Sequence, residues 1–273
     1  MRAVGVVLMS ALVLSGAALP KKGPLPVARP DAVQGEQPTP TPKPAAPQRE
    51  PQASDQKNLN VGAGKDLPPD WKDDSLPKEA ILTIEKEDPK AYASCLAALK
   101  DIGSAFVETA RVDDGKGCGI DKPIRVTSIL PGVTLKPEGM MRCETALALA
   151  RWAKETATPA AKVAFGPDAR LSALNQASTY VCRLRNNAAT GKISEHARGN
   201  AVDIASFTLA DGKTIEIQPR DEDGTLAGAF QRAVTASGCL YFTTVLDPGS
   251  DAAHETHLHF DVIERKNGYR YCR

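Results

Sequence analysis

The chain has 273 residues, enough for one or two domains, and its formal net charge of +1 gives no basic footprint for a nucleic-acid partner. Its six cysteines, Cys95, Cys118, Cys143, Cys182, Cys239 and Cys272, are even in number and fall in the C-terminal two thirds. None has the close spacing of a zinc knuckle, so they read as disulfides of an oxidising compartment rather than as a thiolate metal site.

Met1 and Arg2 form a short positive start to an apolar run, Ala3 to Leu19, that closes on Ser15-Gly16-Ala17-Ala18. This is the layout of a secretory signal peptide over residues 1–19, cleaved near Ala17 or Ala18. The run also lies at the lower limit for spanning a bilayer, so a retained anchor is the alternative. No other stretch is long and apolar enough to span, and no stable membrane insertion is expected after cleavage. Residues 20–77 are proline-rich, most densely in Gln37-Pro38-Thr39-Pro40-Thr41-Pro42-Lys43-Pro44. Such a segment buries too little apolar surface to offset its conformational entropy, and a disordered linker with polyproline II character is expected.

Residues 78–273 are expected to hold the folded domain, with its first element near Ile81. Asp88-Pro89 ahead of Ala91–Leu99 supplies an N-cap and a proline in the first helical turn. Val126 to Leu130 is a short β-type run, and Cys143 to Lys154 is an Ala/Leu-rich helix carrying Trp152. Leu171 to Leu184 is β-like and includes Tyr180. Ala201–Leu209 and Thr214–Ile217 flank the turn Ala210-Asp211-Gly212. Leu226 to Ala236 reads as a helix stopped at Gly238, and Leu240–Leu246 and His257–Ile263 as two further strands. These elements predict an α+β domain with a mainly antiparallel central sheet and flanking helices. Adjacency along the chain gives Cys95–Cys118, Cys143–Cys182 and Cys239–Cys272 as the expected disulfides.

All four histidines fall in two short segments, Ser194-Glu195-His196-Ala197-Arg198-Gly199-Asn200-Ala201-Val202-Asp203 and His254-Glu255-Thr256-His257-Leu258-His259-Phe260-Asp261. Histidine used for ordinary packing would be scattered. On a strand, residues i and i+2 share a face, so His257, His259 and Asp261 project together and Phe260 and Val262 project oppositely. Asp203 likewise faces away from Val202 and Ile204, between small alanines, and Gly199 suits the turn that returns His196 over it. Two imidazoles and a carboxylate form a good zinc ligand set that leaves a position open for water. The expected Zn2+ ligands are therefore His196, Asp203 and one histidine of the second segment. His254 and His257 stand three apart, which excludes the His-Glu-x-x-His helix of classical zincins.

The pattern Ser194-x-His196-x-x-Gly199-x-Ala201-x-Asp203 resembles the signature of the zinc D-Ala-D-Ala peptidases and their relatives, the murein endopeptidases and the hedgehog fold. The region from Cys95 to Cys272 also resembles the extensin-like C-terminal domain family. That likeness is carried by Gly117-Cys118-Gly119, Tyr180-Val181-Cys182-Arg183, Leu209-Ala210-Asp211-Gly212, and Ala253-His254 through His257-Leu258-His259. The resemblance implies a hedgehog/DD-peptidase-like fold and a metal on His196, Asp203 and His259. The D-Ala-D-Ala dipeptidases place a glutamate three residues before the last histidine; here that residue is Thr256. The chain is more similar to the penicillin-insensitive murein endopeptidases, with His257 two residues before the last ligand. The resemblance thus points to His257 as general base, with His254 and Glu255 as alternatives. It also points to Arg183 as the contact to substrate or to the developing oxyanion.

The expected function is zinc-dependent hydrolysis of peptide bonds in peptidoglycan stem peptides, in the periplasm of a Gram-negative bacterium. The alternative is a zinc-containing cell-wall binding module without turnover. Asp261 is expected either behind a ligand histidine or in solvent, and Glu195 and Arg198 in solvent.

Overall fold

The computed structural model describes residues 83–273. The expected signal peptide, linker and first domain residues, 1–82, lie outside the described residues. Asp88 caps the first helix, α1 (Pro89–Ile102), by accepting from Ala91 N at 2.7 Å, and Gly103 closes it in the left-handed region. Strands β1 (Ala105–Glu108), β2 (Val112–Gly115), β3 (Cys118–Ile120), β4 (Ile124–Leu130) and β5 (Val133–Met141) follow. Helix α2 (Cys143–Trp152) runs through a π turn (Ala153–Ala157) into α3 (Thr158–Phe165). Pro159 near the start of α3 has no N–H to donate, and the wider π register accommodates the missing bond. The helix therefore continues well past Lys154. Then come β6 (Leu171–Ser178), β7 (Ala201–Leu209), β8 (Thr214–Glu216), α4 (Leu226–Gly238), β9 (Thr244–Leu246), β10 (Leu258–Asp261) and β11 (Tyr271–Cys272).

The main sheet has the order β1-β4-β5-β6-β7-β10-β9-β11, with β8 paired to β7. It is mixed but mostly antiparallel, with β5–β6 and β9–β11 parallel. Strands β2 and β3 form a separate two-stranded ribbon. The expected α+β class, antiparallel sheet and β7–β8 hairpin are all present.

Strand alternation separates core from site. Val202 and Ile204 of β7 and Leu258 and Phe260 of β10 point into a core with the helices. There Trp152 is fully buried, meets Phe260 edge-on at 5.0 Å between ring centroids, and donates from its indole nitrogen to Val234 O on α4 at 3.0 Å. Truncating such a residue costs about 3–5 kcal/mol. The intervening residues, Asp203, His259 and Asp261, face the other side of the sheet.

The disulfides are Cys95–Cys143, Cys118–Cys182 and Cys239–Cys272. The expected Cys239–Cys272 is correct and the other two pairings are exchanged. Cys95 on α1 meets the first residue of α2, because the two helices pack together against the core. This leaves Cys118 of the ribbon to bind Cys182, beyond the end of β6.

A histidine and carboxylate cluster as candidate metal centre

Asp203 and His259 are register partners across β7 and β10. His196 comes from a 3-10 turn, Glu195–Arg198, that Ser194 opens by accepting from His196 N and Gly199 closes at φ 71°. A Cβ at Gly199 would lie 2.3 Å from Ile120 Cδ1, so this turn needs glycine for both its backbone conformation and its contact with the ribbon. Arg142 N donates to Gly199 O, and Thr145 Oγ1 to the same oxygen, fixing the turn to the start of α2.

Three ligand atoms converge. His259 Nδ1 is 2.8 Å from Asp203 Oδ1, His196 Nε2 is 3.1 Å from it, and the two nitrogens are 3.2 Å apart. A tetrahedral ion with ligands at about 2.0–2.2 Å spaces them about 3.3–3.6 Å apart, so the triangle, a little tighter, is close to what zinc requires. The tautomers agree. His196 Nδ1 lies 2.7 Å from Thr179 O, an acceptor, so that nitrogen carries the proton and Nε2 offers a lone pair. His259 Nε2 donates to Asp261 Oδ2 at 3.4 Å, which leaves Nδ1 as its lone pair. Two imidazole lone pairs and a carboxylate oxygen aimed at one point repel each other unless a proton or a metal cation lies between them. Carboxylates and carbonyls behind ligand histidines are the usual support of a metal site.

The electrostatics carry the same message. Burial works to lower the His259 pKa, yet hydrogen bonds and charge from Asp203 and Asp261 outweigh it and push it up to about 9. Burial works to raise the Asp203 pKa, yet His196 and then His259 hold that carboxyl well below its ordinary range. The carboxylates thus favour a positive charge at His259, which a proton supplies and a bound cation would replace.

His257 precedes β10 and places Nε2 3.7 Å from Asp203 Oδ1. Its pKa is lowered, by burial first and then by the neighbouring histidines, against the pull of Asp203. His254 is buried and donates from Nδ1 to Asp251 Oδ1 at 2.7 Å, so only its other ring nitrogen remains for the cleft. Arg183 reaches to 3.9 Å from Asp203 Oδ2. His254, His257 and Arg183 all line a cleft of about 480 Å³ that opens onto His196 and His259. Glu255 is exposed and lies off this cleft.

Several sequence expectations are corrected. Strand β6 ends at Ser178, short of Leu184, because Thr179 O turns to bind His196. Tyr180 leaves the sheet and donates to Asp114 Oδ2 on the ribbon at 2.6 Å. Glu195 is not solvated: it is 6% exposed, and its two oxygens accept from Arg185 and Asn200. Asp261 is buried behind His259. Asp251 was not among the candidates, although its Asp-x-x-His spacing to His254 was readable; Thr179 acts through its backbone and left no sequence signal.

The family described as Extensin-like protein C-terminus matches residues 93–273. No curated protein and no solved structure matches the chain.

Proposed function

The chain belongs to the Extensin-like protein C-terminus family, and we propose that it is an exported zinc peptidase that hydrolyses peptide bonds in peptidoglycan stem peptides. The observation that carries the metal assignment is the convergence of the His196 and His259 lone pairs on Asp203 Oδ1, each fixed by an acceptor behind its ring. The peptidoglycan substrate and a hedgehog/DD-peptidase relationship are supported by the Ser194-x-His196-x-x-Gly199-x-Ala201-x-Asp203 pattern, whose residues build this site. Three disulfides suit the oxidising conditions of a periplasm, the compartment we assign to it. Among the described residues, no helix is long and apolar enough to cross a membrane.

Zinc at His196, Asp203 and His259 would polarise the scissile carbonyl and bring the pKa of a water to about 7. His257, its nitrogen close to Asp203 and its pKa lowered, is neutral near pH 7 and takes the proton from the attacking water. The Arg183 guanidinium faces the oxygen that gains charge as the carbonyl carbon becomes tetrahedral. His257 then hands that proton to the departing amine, and His254, oriented by Asp251, offers its other ring nitrogen to the cleft as an acceptor. The bond formed is carbon to water oxygen, the bond broken is the amide C–N, and the water proton ends on the amine.

Incubating the protein with purified muropeptides, with and without a chelator, and weighing the products tests this reading. Zinc-dependent cleavage is expected. Tight wall binding with retained zinc and no cleavage would instead identify a binding module.

A further inference from the structure

The cleft wall opposite β10 is a hairpin from Cys182 to Ser194. The bridge Leu184–Ile193 and bonds from Arg185 N to Lys192 O and Ser194 N to Arg183 O close it. A small apolar cluster of Cys118, Leu184, Ile193 and Ala197 seats it. At its turn, Asn186 and Asn187 both have positive φ, 52° and 55°, a conformation asparagine tolerates better than most residues.

Arg185 stands on this wall with its side chain 48% exposed, yet it is not loose. Its Nη2 donates to Glu195 Oε1 at 3.2 Å and its Nε to Ile193 O at 3.4 Å. Glu195 is buried, and its other oxygen accepts from Asn200 Nδ2 at 3.0 Å. Asn200 in turn accepts from Arg142 Nη1 at 3.2 Å, and Arg142 is gripped by both oxygens of Glu87. A chain of buried polar groups thus fixes a half-exposed guanidinium at the mouth of the metal cleft, with its remaining donors facing solvent. A mobile surface arginine needs no such support.

The charge around it selects the ligand. Of the carboxylates at the cleft, Asp261 and the adjoining Asp203 are engaged by histidine, and Glu195 by one edge of Arg185 and by Asn200. Arg265, also on the cleft, is committed to Thr243 O and Thr244 Oγ1. Arg183 reaches toward the metal ligands. Arg185 is the fixed cation that faces outward, and a planar guanidinium with spare parallel donors is shaped for a carboxylate.

We infer that Arg185 is a specificity-determining residue that binds a free carboxylate of the peptide substrate beside the scissile bond, and that Glu195 is its positioning residue. This deepens the proposed hydrolysis and rests on it for the nature of the ligand. Stem peptides carry carboxylates along the chain and at the C-terminus, and amidation of any of them removes the charge without changing the backbone.

The test uses the zinc-loaded full chain and synthetic stem peptides, each paired with forms amidated at one carboxylate at a time. For one carboxylate, amidation is expected to raise KM about tenfold or more with kcat nearly constant. In Arg185→Ala that free-to-amide KM ratio should collapse toward one, with zinc content retained and a lower Tm because Glu195 loses its partner. Arg185→Lys should restore part of the ratio, and it serves as the second variant if the alanine protein folds poorly. Glu195→Gln, which keeps an acceptor for Asn200, should shrink the ratio by releasing Arg185. A KM that rises equally for free and amidated forms in Arg185→Ala, or an unchanged ratio, overturns the inference. If the wild type cleaves no stem peptide, the hydrolase reading fails, and equilibrium binding of the same peptide pairs decides this inference alone. An Arg185-dependent preference for the free carboxylate supports it, and equal binding of both forms overturns it.

Discussion

Asp203 and His259 face each other across the β7–β10 ladder, and Oδ1 of the first lies 2.8 Å from Nδ1 of the second. Two antiparallel strands therefore deliver two of the proposed ligands at a spacing set by the sheet rather than by a flexible loop. Only His196 depends on a turn. Alanine at any of the three should abolish stoichiometric zinc, measured by atomic emission on the purified protein. Asp261→Asn removes the carboxylate charge behind His259 but no ligand, so zinc should still bind, about 10–100-fold more weakly. Full zinc occupancy in Asp203→Ala would sink the ligand assignment.

His257 and His254 separate by their partners. His257 faces Asp203 at 3.7 Å, while His254 is tied to Asp251 at 2.7 Å and has no contact of its own with Asp203. His257→Ala should keep most of its zinc and lose about 10²–10⁴-fold in kcat, the usual worth of a general base. Asp251→Ala should keep its zinc and lose less, because it frees the His254 ring without removing it. If His257→Ala loses zinc and Tm together, His257 is a fourth ligand and the site is structural.

Gly199 joins the ligand turn to the ribbon. Its φ of 71° and the 2.3 Å approach that a Cβ would make to Ile120 Cδ1 act together. Gly199→Ala should cost about 2–4 kcal/mol in denaturant unfolding of the zinc-free protein. It should also weaken zinc binding, because His196 lies three residues back on the same turn. Ile120→Ala alone should cost about 2–5 kcal/mol because that side chain is buried, but Gly199→Ala should cost less in that background than in the wild type, since the steric contact is gone and only the backbone strain remains. An equal cost in both backgrounds would show that the contact with Ile120 does not matter.

How far the sequence could be read follows from what each feature depends on. The α1 cap and the β7–β8 hairpin rest on local chemistry, and Asp88 and Asp211-Gly212 announce them, whereas Gly238 is the last residue inside α4, packed against the Phe260 ring, and not a stop beyond its end. His196, Asp203 and the second histidine segment were legible because strand alternation and the clustering of four histidines are both local patterns, and the choice of His259 within that segment came from the family resemblance. Strand β5 was not, since Pro137 and Gly139 within it argue against a strand and its pairing with β4 and β6 outweighs them. Helix α3 was hidden by Pro159, which reads as a breaker until the π turn absorbs it. The exchanged disulfides and the burial of Glu195 have one cause. Both depend on which elements meet in space, Cys95 with Cys143 and Glu195 with Asn200 and Arg185, and neither contact leaves a periodic trace.

Asp247 offers a pH-dependent test away from the proposed metal ligands. Burial first, and then the like charge of Asp221, raise its pKa to about 6. The ordinary carboxyl of an unfolded chain titrates near 3.9, by about two units the stronger acid. Between those two values the folded protein binds more protons than the unfolded chain at this position. Stability from this group is therefore greatest below about pH 4, falls as pH rises through the window, and stays diminished above about pH 6. Asp247→Asn keeps the shape and removes the charge. Its Tm should match that of the wild type near pH 4 and exceed it at pH 7, by less than about 3 °C because the side chain is only partly shielded from solvent. The measurement is the difference in Tm between the two proteins at each pH from 4 to 8, so that zinc loss at low pH, common to both, cancels. A difference that is flat across this range, or largest at the acid end, would show that burial and Asp221 together do not raise the Asp247 pKa in the folded protein.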